Sequence, residues 1–206
     1  MKSIFGITLG DSSGIGPEIL LKAFRDGLIA YPAVVYGDLG ALEFYNARLG
    51  FGIPLRAIGR VADYEPGALN VLDHGILRAG EITPGEINAK SGRAAREYVI
   101  AAAKAALAAD IAAMVTLPMN KEATQKSDPA FVGHTELIGA VCGVRDVTIM
   151  LASDQLIVTH VSTHCSLADA IARTKQPRIR TILKLTSDAV RKLIEQPRIA
   201  VAGLNP

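Results

Sequence analysis

Two short stretches carry side chains suited to holding an anion. In Val132-Gly133-His134-Thr135-Glu136, His134 and Thr135 stand just before an apolar helical stretch that begins near Leu137, so both can aim donors at a bound anion. A histidine at a helix start also serves as a cap, which is the plainer reading. In Thr116-Leu117-Pro118-Met119-Asn120-Lys121-Glu122, an apolar strand is followed by a turn and a helix. That order places Asn120 and Lys121 at the carboxyl end of a sheet with an amide and a cation available. Lys121 can bind a phosphate or carboxylate there, or act as a catalytic acid or base if its pKa is lowered. A solvated surface lysine is the alternative.

A third stretch, Gly10-Asp11-Ser12-Ser13-Gly14-Ile15-Gly16-Pro17-Glu18, lies between a strand and a helix. Backbone N–H groups and the positive end of a helix dipole converge at such a loop, which makes Asp11, Gly14 and Gly16 part of a candidate anion loop. The bland reading is a tight turn with Asp11 or Ser13 capping the helix. A dinucleotide fingerprint would need a third glycine where Ile19 stands, so this is not that motif, although Asp38 lies at the distance of a ribose-binding acid.

His160 and His164 are four apart, a spacing that on a helix lets two imidazoles share a metal. The β-branched residues Val158, Thr159 and Val161 argue for a strand instead, where residues four apart sit about 13 Å from one another. At most one of the pair ligates a given ion. His164, at the strand's end beside Thr163 and Cys165, is the metal candidate, and His160, in mid-strand, is structural. His74 has no partner in sequence and receives no role.

The elements that must position these groups alternate between β-branched runs and Ala- and Leu-rich segments, the pattern of βα units in a largely parallel sheet. Strands are predicted at Ile4–Leu9, Ala33–Tyr36, Ile111–Leu117 and Arg198–Ala202. Helices are predicted at Pro17–Phe24, Ser91–Ala109, Leu167–Arg173 and Ile179–Ile194, and a hairpin at Val147–Ala152 and Gln155–Val161 about Ser153-Asp154. Residues 49–86, rich in Gly and Pro, read as loops and short strands outside any packed layer, and as a plausible seam. A second seam is expected near 110–140.

With 206 residues, 50% hydrophobic and 20% charged, the chain can bury one sizeable α/β domain or two small ones. Its 22 basic and 20 acidic residues leave a net charge of +2 with no like-charge run, which argues against a nucleic-acid partner. Two cysteines, Cys142 and Cys165, are too few for a disulfide scaffold and point to a reducing cytoplasm. The apolar run Ile4–Leu9 is too short for a signal core or membrane span, so no membrane partner is expected.

Six blocks in order resemble the 4-hydroxythreonine-4-phosphate dehydrogenase (PdxA) family. They are Gly-Asp-x-x-Gly-Ile-Gly-Pro-Glu at 10–18, Ser-Gly-Arg-Ala-Ala at 91–95, Pro-Met-Asn-Lys-Glu at 118–122, Gly-His-Thr-Glu at 133–136, Thr-His at 163–164 and Ala-Gly-Leu-Asn-Pro at 202–206. The resemblance implies an isocitrate/isopropylmalate-dehydrogenase-like α/β fold of α/β/α layers, and a homodimer whose cleft sites draw on both subunits. Family members run on past Asn205-Pro206, so 1–206 is expected to be the N-terminal portion of a two-domain dehydrogenase, truncated at the C-terminus. The resemblance implies that His134 and Thr135 bind the substrate phosphate and that His164 is one metal ligand, the other metal histidines following later. It implies NAD or NADP and a divalent metal (Zn, Mg, Co or Mn) as cofactors. The reaction it implies is oxidation of a phosphorylated secondary hydroxy acid followed by decarboxylation. The metal would stabilise the alkoxide as hydride leaves, then polarise the ketone. Ser12-Ser13 and Leu117-Pro118-Met119 depart from the family's usual residues, which bears on the substrate. Relatives include enzymes of 4-phospho-threonate, 4-phospho-erythronate and aromatic cis-dihydrodiol carboxylates. A truncated domain lacking catalysis is the competing reading, and the 206-residue chain alone is expected to be nearly inactive.

Overall fold

The computed structural model describes residues 3–203, so Leu204, Asn205 and Pro206 of the last family block lie outside the described residues. The chain divides into two compact units after Gly143, just past the 110–140 stretch in which a seam is expected.

The first unit is a parallel five-stranded sheet with helices on its faces. It runs β1 (Phe5–Thr8), α1 (Gly16–Arg25), β2 (Ala33–Gly37), α2 (Leu39–Leu49), β3 (Leu55–Ile58), β4 (Leu69–Asp73), α3 (Ala89–Leu107), β5 (Ala113–Thr116), α4 (Lys121–Gln125) and α5 (His134–Val141), with short 3-10 turns at Val61–Asp63 and Ala79–Glu81. The strand order is β3-β4-β2-β1-β5. Right-handed crossovers on a sheet that grows first one way and then the other put α1 and α2 on one face and α3 on the opposite face. The parallel sheet expected from the alternation, and the α/β/α layering that the resemblance implies, are thus present.

Local chemistry explains the element ends. α1 opens with Pro17 in its first turn, where a missing N–H costs nothing, and α2 stops at Gly50 in the left-handed region at φ 65°. α3 is capped by Asn88, whose side chain accepts from the backbone N–H of Lys90 at 2.9 Å and of Ser91 at 3.1 Å. The core lies on both sides of β1, β2 and β4 and includes Leu9, Val34, Val35, Val71, Leu21 and Tyr98.

Residues 49–86 are not the loose seam expected. They supply β3 and β4, and β4 is an interior strand between β3 and β2 with Leu69 and Val71 fully buried. The misleading residue is Asn70. It is fully buried, yet its amide donates to the carbonyls of Glu65 and Ala68 and its oxygen accepts from the Glu65 N–H, so a polar side chain is accommodated inside a strand.

The second unit contains an antiparallel hairpin of β6 (Met150–Ala152) and β7 (Ile157–Thr159), then α6 (Leu167–Arg173) and α7 (Gln176–Val190). Ser153 Oγ closes the hairpin turn by accepting from the N–H groups of Gln155 and Leu156. The strand expected at Arg198–Ala202 is absent. Ile199 and Val201 are exposed, and their β-branching meets no neighbouring strand among the described residues. No described helix is long and apolar enough to cross a membrane.

Candidate functional site

Parallel strands direct their chemistry to the carboxyl edge, and two expected stretches meet there. β1 and β5 are neighbours in register, Thr8 opposite Thr116, so the loops that follow them leave the sheet side by side. Gly10, at φ 70°, makes the contact possible. A Cβ there would lie 2.3 Å from the Pro118 carbonyl oxygen, and the Asp11 N–H donates to that same oxygen at 2.9 Å. Gly16 is required for a similar reason, since a Cβ would stand 2.2 Å from the Leu9 carbonyl.

The loop is bonded inward. Asp11 is only 3% exposed, and its Oδ1 accepts from the Ser13 N–H at 2.8 Å and from the Ser91 hydroxyl. The Gly14 N–H donates to the Asp11 carbonyl, the Ser13 carbonyl accepts from Gly85, and the Ser12 carbonyl accepts from the Tyr45 hydroxyl at 2.9 Å. Asp11, expected among the groups facing an anion, is therefore spent on holding the turn, and the N–H groups of residues 11, 13 and 14 are spent with it. Asp38 is likewise no ribose ligand. It is fully buried and accepts from the Ile76 N–H at 2.9 Å, the Leu77 N–H at 2.7 Å and the Tyr98 hydroxyl at 2.7 Å. Burial, and then the charge of Asp38, push the Tyr98 hydroxyl well above its ordinary pKa.

Lys121 is the first residue of α4, exposed, with no ion-pair partner among the described residues. Its neighbour Asn120 is occupied as the helix cap, accepting from the Ala123 N–H at 3.0 Å. α4 is seated on α3 at Gly92, where a Cβ would lie 2.2 Å from the Ala123 carbonyl carbon.

His134 begins α5 after Gly133, and Thr135 follows in the first turn. The His134 Nε2 and the Glu136 Oε2 are buried atoms with no hydrogen-bond partner among the described residues. Burial lowers the His134 pKa, which keeps the imidazole neutral near neutral pH. His74, given no role from sequence, packs edge-on against Tyr98 at 5.2 Å, its pKa lowered by burial against the opposing pull of Asp38 and Asp73.

In the second unit, His160 lies just past β7 rather than in mid-strand. Its carbonyl accepts from the Thr148 hydroxyl at 2.7 Å, and its Nδ1 is buried without a partner among the described residues. His164 sits in a bend, exposed, in the left-handed region at φ 49°. No group of three His, Cys, Asp or Glu able to hold a metal occurs among the described residues. Two residues that organise the site, Ser91 and Gly92, were noticed in sequence only as part of the 91–95 block and received no role. Their signal is a glycine inside an otherwise alanine-rich helix, which costs about 1 kcal/mol relative to alanine unless something approaches closely.

A surface hollow between Phe24, Tyr31, Tyr64 and Leu69 opens at the starts of β2 and β4. It is at the edge of the sheet opposite the loops described above.

The model of the family described as pyridoxal phosphate biosynthetic protein PdxA matches residues 30–206. The D-threonate 4-phosphate dehydrogenase of Salmonella typhimurium is 38% identical over 205 residues, covering 97% of this chain and 63% of its own length. The 4-hydroxythreonine-4-phosphate dehydrogenase of Beijerinckia indica is 39% identical over 203 residues, covering 97% and 60%. The crystal structure of 4-hydroxythreonine-4-phosphate dehydrogenase from Klebsiella pneumoniae superposes with a TM-score of 0.90 at 34% identity, over 100% of this chain and 64% of that one. A terephthalate 1,2-cis-dihydrodiol dehydrogenase from Burkholderia xenovorans gives a TM-score of 0.65 at 28% identity, over 92% and 57%. The chain spans less than two thirds of the length of these relatives. With a matching family model over most of its length and the fold of solved members throughout, the chain belongs to the PdxA family.

Proposed function

We propose that the whole protein is an NAD(P)-dependent dehydrogenase that oxidises a phosphorylated secondary hydroxy acid, with loss of CO₂ from the product. The substrate class is 4-phosphohydroxy-L-threonine or a related 4-phospho-threonate or 4-phospho-erythronate. The observation that carries the reading is the His134 Nε2, buried without a partner among the described residues at the start of α5, in a chain whose relatives are named for 4-phosphate substrates. A neutral imidazole there donates one N–H, and the helix N-terminus adds backbone donors and a favourable dipole for a phosphate. Thr135 contributes a hydroxyl in the same turn. Lys121, exposed at the start of α4, supplies the cation that completes the grip. Holding the phosphate spends binding energy away from the reacting carbon in order to orient it.

The metal and the nicotinamide enter this reading through family membership. The residues described do not by themselves fit either. His164 is exposed and belongs to no group of three metal-ligating side chains among the described residues, and Asp38, the acid at ribose distance from the glycine loop, is saturated by internal donors. A homodimer in the cytoplasm is part of the same proposal. The weaker structural likeness to the dihydrodiol dehydrogenase leaves an aromatic carboxylate substrate without an observation in its favour.

The test is nicotinamide reduction by the whole protein, supplied with a divalent metal, on the phosphorylated substrates and on their dephosphorylated counterparts. The phosphorylated acids should turn over. His134→Ala should raise their KM by roughly 10- to 100-fold with kcat largely kept, the loss of one hydrogen bond to a charged group. No turnover of any phosphorylated hydroxy acid refutes the activity. An unchanged KM in His134→Ala returns His134 to a helix-capping role.

A further inference from the structure

The turn that carries Lys121 is gripped at both ends by two consecutive residues of one helix. At its start, Pro118 accepts from the Asp11 N–H, and Asp11 is held through its carboxylate by the Ser91 hydroxyl. Ser91 is 1% exposed and also accepts from the Ser13 N–H at 3.0 Å, so the whole glycine loop is pinned to the first turn of α3. At the other end, the backbone of Ala123 and Thr124 lies on Gly92. A Cβ at Gly92 would stand 2.2 Å from the Ala123 carbonyl carbon, 2.4 Å from its oxygen and 2.4 Å from the Thr124 nitrogen. These are backbone atoms with no rotamer to swing away. The Thr124 hydroxyl, fully buried, donates to the Asn120 carbonyl at 2.9 Å and closes the turn on itself.

We infer that Ser91 and Gly92 are positioning residues that fix Lys121 at the carboxyl edge of the sheet, an inference that rests on the reading of Lys121 as a substrate contact. Neither residue touches substrate. Gly92 sets how closely α4 approaches α3, and Ser91 sets where the strand-to-helix turn leaves β5. Ordinary contact for a Cβ against backbone begins near 3.4 Å, so an alanine at 92 must push the Ala123 end of the turn away by about 1.2 Å. A misplacement of about 1 Å in a substrate-orienting group is enough to cost on the order of a hundredfold in rate.

The experiment is a double-mutant cycle on the whole protein with a phosphorylated hydroxy acid as substrate. The variants are Lys121→Ala, Gly92→Ala, Ser91→Ala and the two doubles with Lys121→Ala. Each single at 121 or 92 should lower kcat/KM on the order of a hundredfold, and Ser91→Ala on the order of tenfold. The doubles should be within about twofold of Lys121→Ala alone, because a misplaced lysine and a missing lysine forfeit the same contact. A merely structural effect on folding gives losses that multiply instead, and multiplied losses overturn the inference while leaving Lys121 as a substrate contact. A Lys121→Ala enzyme with unchanged constants removes the reading of Lys121 and this inference with it. Ser91→Ala deletes one oxygen and creates no overlap, so it carries the cycle if Gly92→Ala does not fold.

Discussion

Removing the Asp38 carboxylate separates a structural role from a cofactor role at a position where sequence spacing suggests the latter. In Asp38→Ala, the Leu77 N–H and Tyr98 O–H, both buried, and the half-buried Ile76 N–H lose their common acceptor. Each stranded donor costs about 1–3 kcal/mol, so the loss over three donors is roughly 3–9 kcal/mol, a large share of the stability of an ordinary domain. Asp38→Asn keeps one acceptor oxygen. With that oxygen turned toward Leu77 and Tyr98, only Ile76 confronts an amide donor, and the cost falls to about 1–2 kcal/mol. Urea unfolding of the first unit measures the difference, and hydrogen exchange localises it, since the amides of Ile76 and Leu77 should lose protection first in Asp38→Ala. NAD-versus-NADP preference of the whole protein should be the same in Asp38→Asn as in the parent. Stability of Asp38→Ala within about 0.5 kcal/mol of the parent with both amides still protected refutes the reasoning, as does a changed nucleotide preference in Asp38→Asn.

Two further outcomes are expected. His74 and His134 both have pKa values lowered by burial from the ordinary 6.5, so an unfolded chain takes up protons that the folded one refuses. Stability should be full above that value and decline as pH falls below it. A urea midpoint that is flat between about pH 7.5 and about pH 5.5, or a decline that survives in the double variant His74→Gln/His134→Gln, contradicts this. His164→Gly should abolish retention of metal by the whole protein after dialysis while leaving the fold as stable or about 1 kcal/mol more so, because glycine occupies φ 49° without the Cβ penalty that histidine bears. Metal retained in His164→Gly, or lost equally in His160→Ala, removes His164 from the metal site.

Much of the scaffold was legible because its signals are local. α6 matches its expected span, Leu167–Arg173, residue for residue, and its start is marked by Ser166, whose hydroxyl accepts from the Asp169 N–H. α3 announces itself by composition, and β1, β2 and β5 by apolar runs ending at Gly or Pro. Short strands were expected within residues 49–86, but that β3 and β4 join the packed sheet was not legible, because Arg56 and Asn70 interrupt runs of four and five residues and the partners that satisfy Asn70 lie in the preceding turn. The expected strand at Arg198–Ala202 shows the converse, since β-branched residues alone make no strand. At the candidate site, His134 and Lys121 are visible as residue types that follow structural punctuation. The fate of Asp11 was hidden, because the partner that claims its carboxylate, Ser91, is 80 positions away and belongs to another element.

The register of β1 with β5 carries a consequence for synthesis. Phe5 pairs with Ala113, so β1, an interior strand of the first unit's sheet, waits for one of its two neighbours until most of the unit has left the ribosome. β2 can dock early, but the edge that seats Gly10 against Pro118 closes late and across a long loop. A nascent chain therefore spends its longest interval with β1 open on the side where the chemistry will assemble. Substitutions at Gly10 or Pro118 should accordingly register as poor yield during expression at least as strongly as they register in the finished protein.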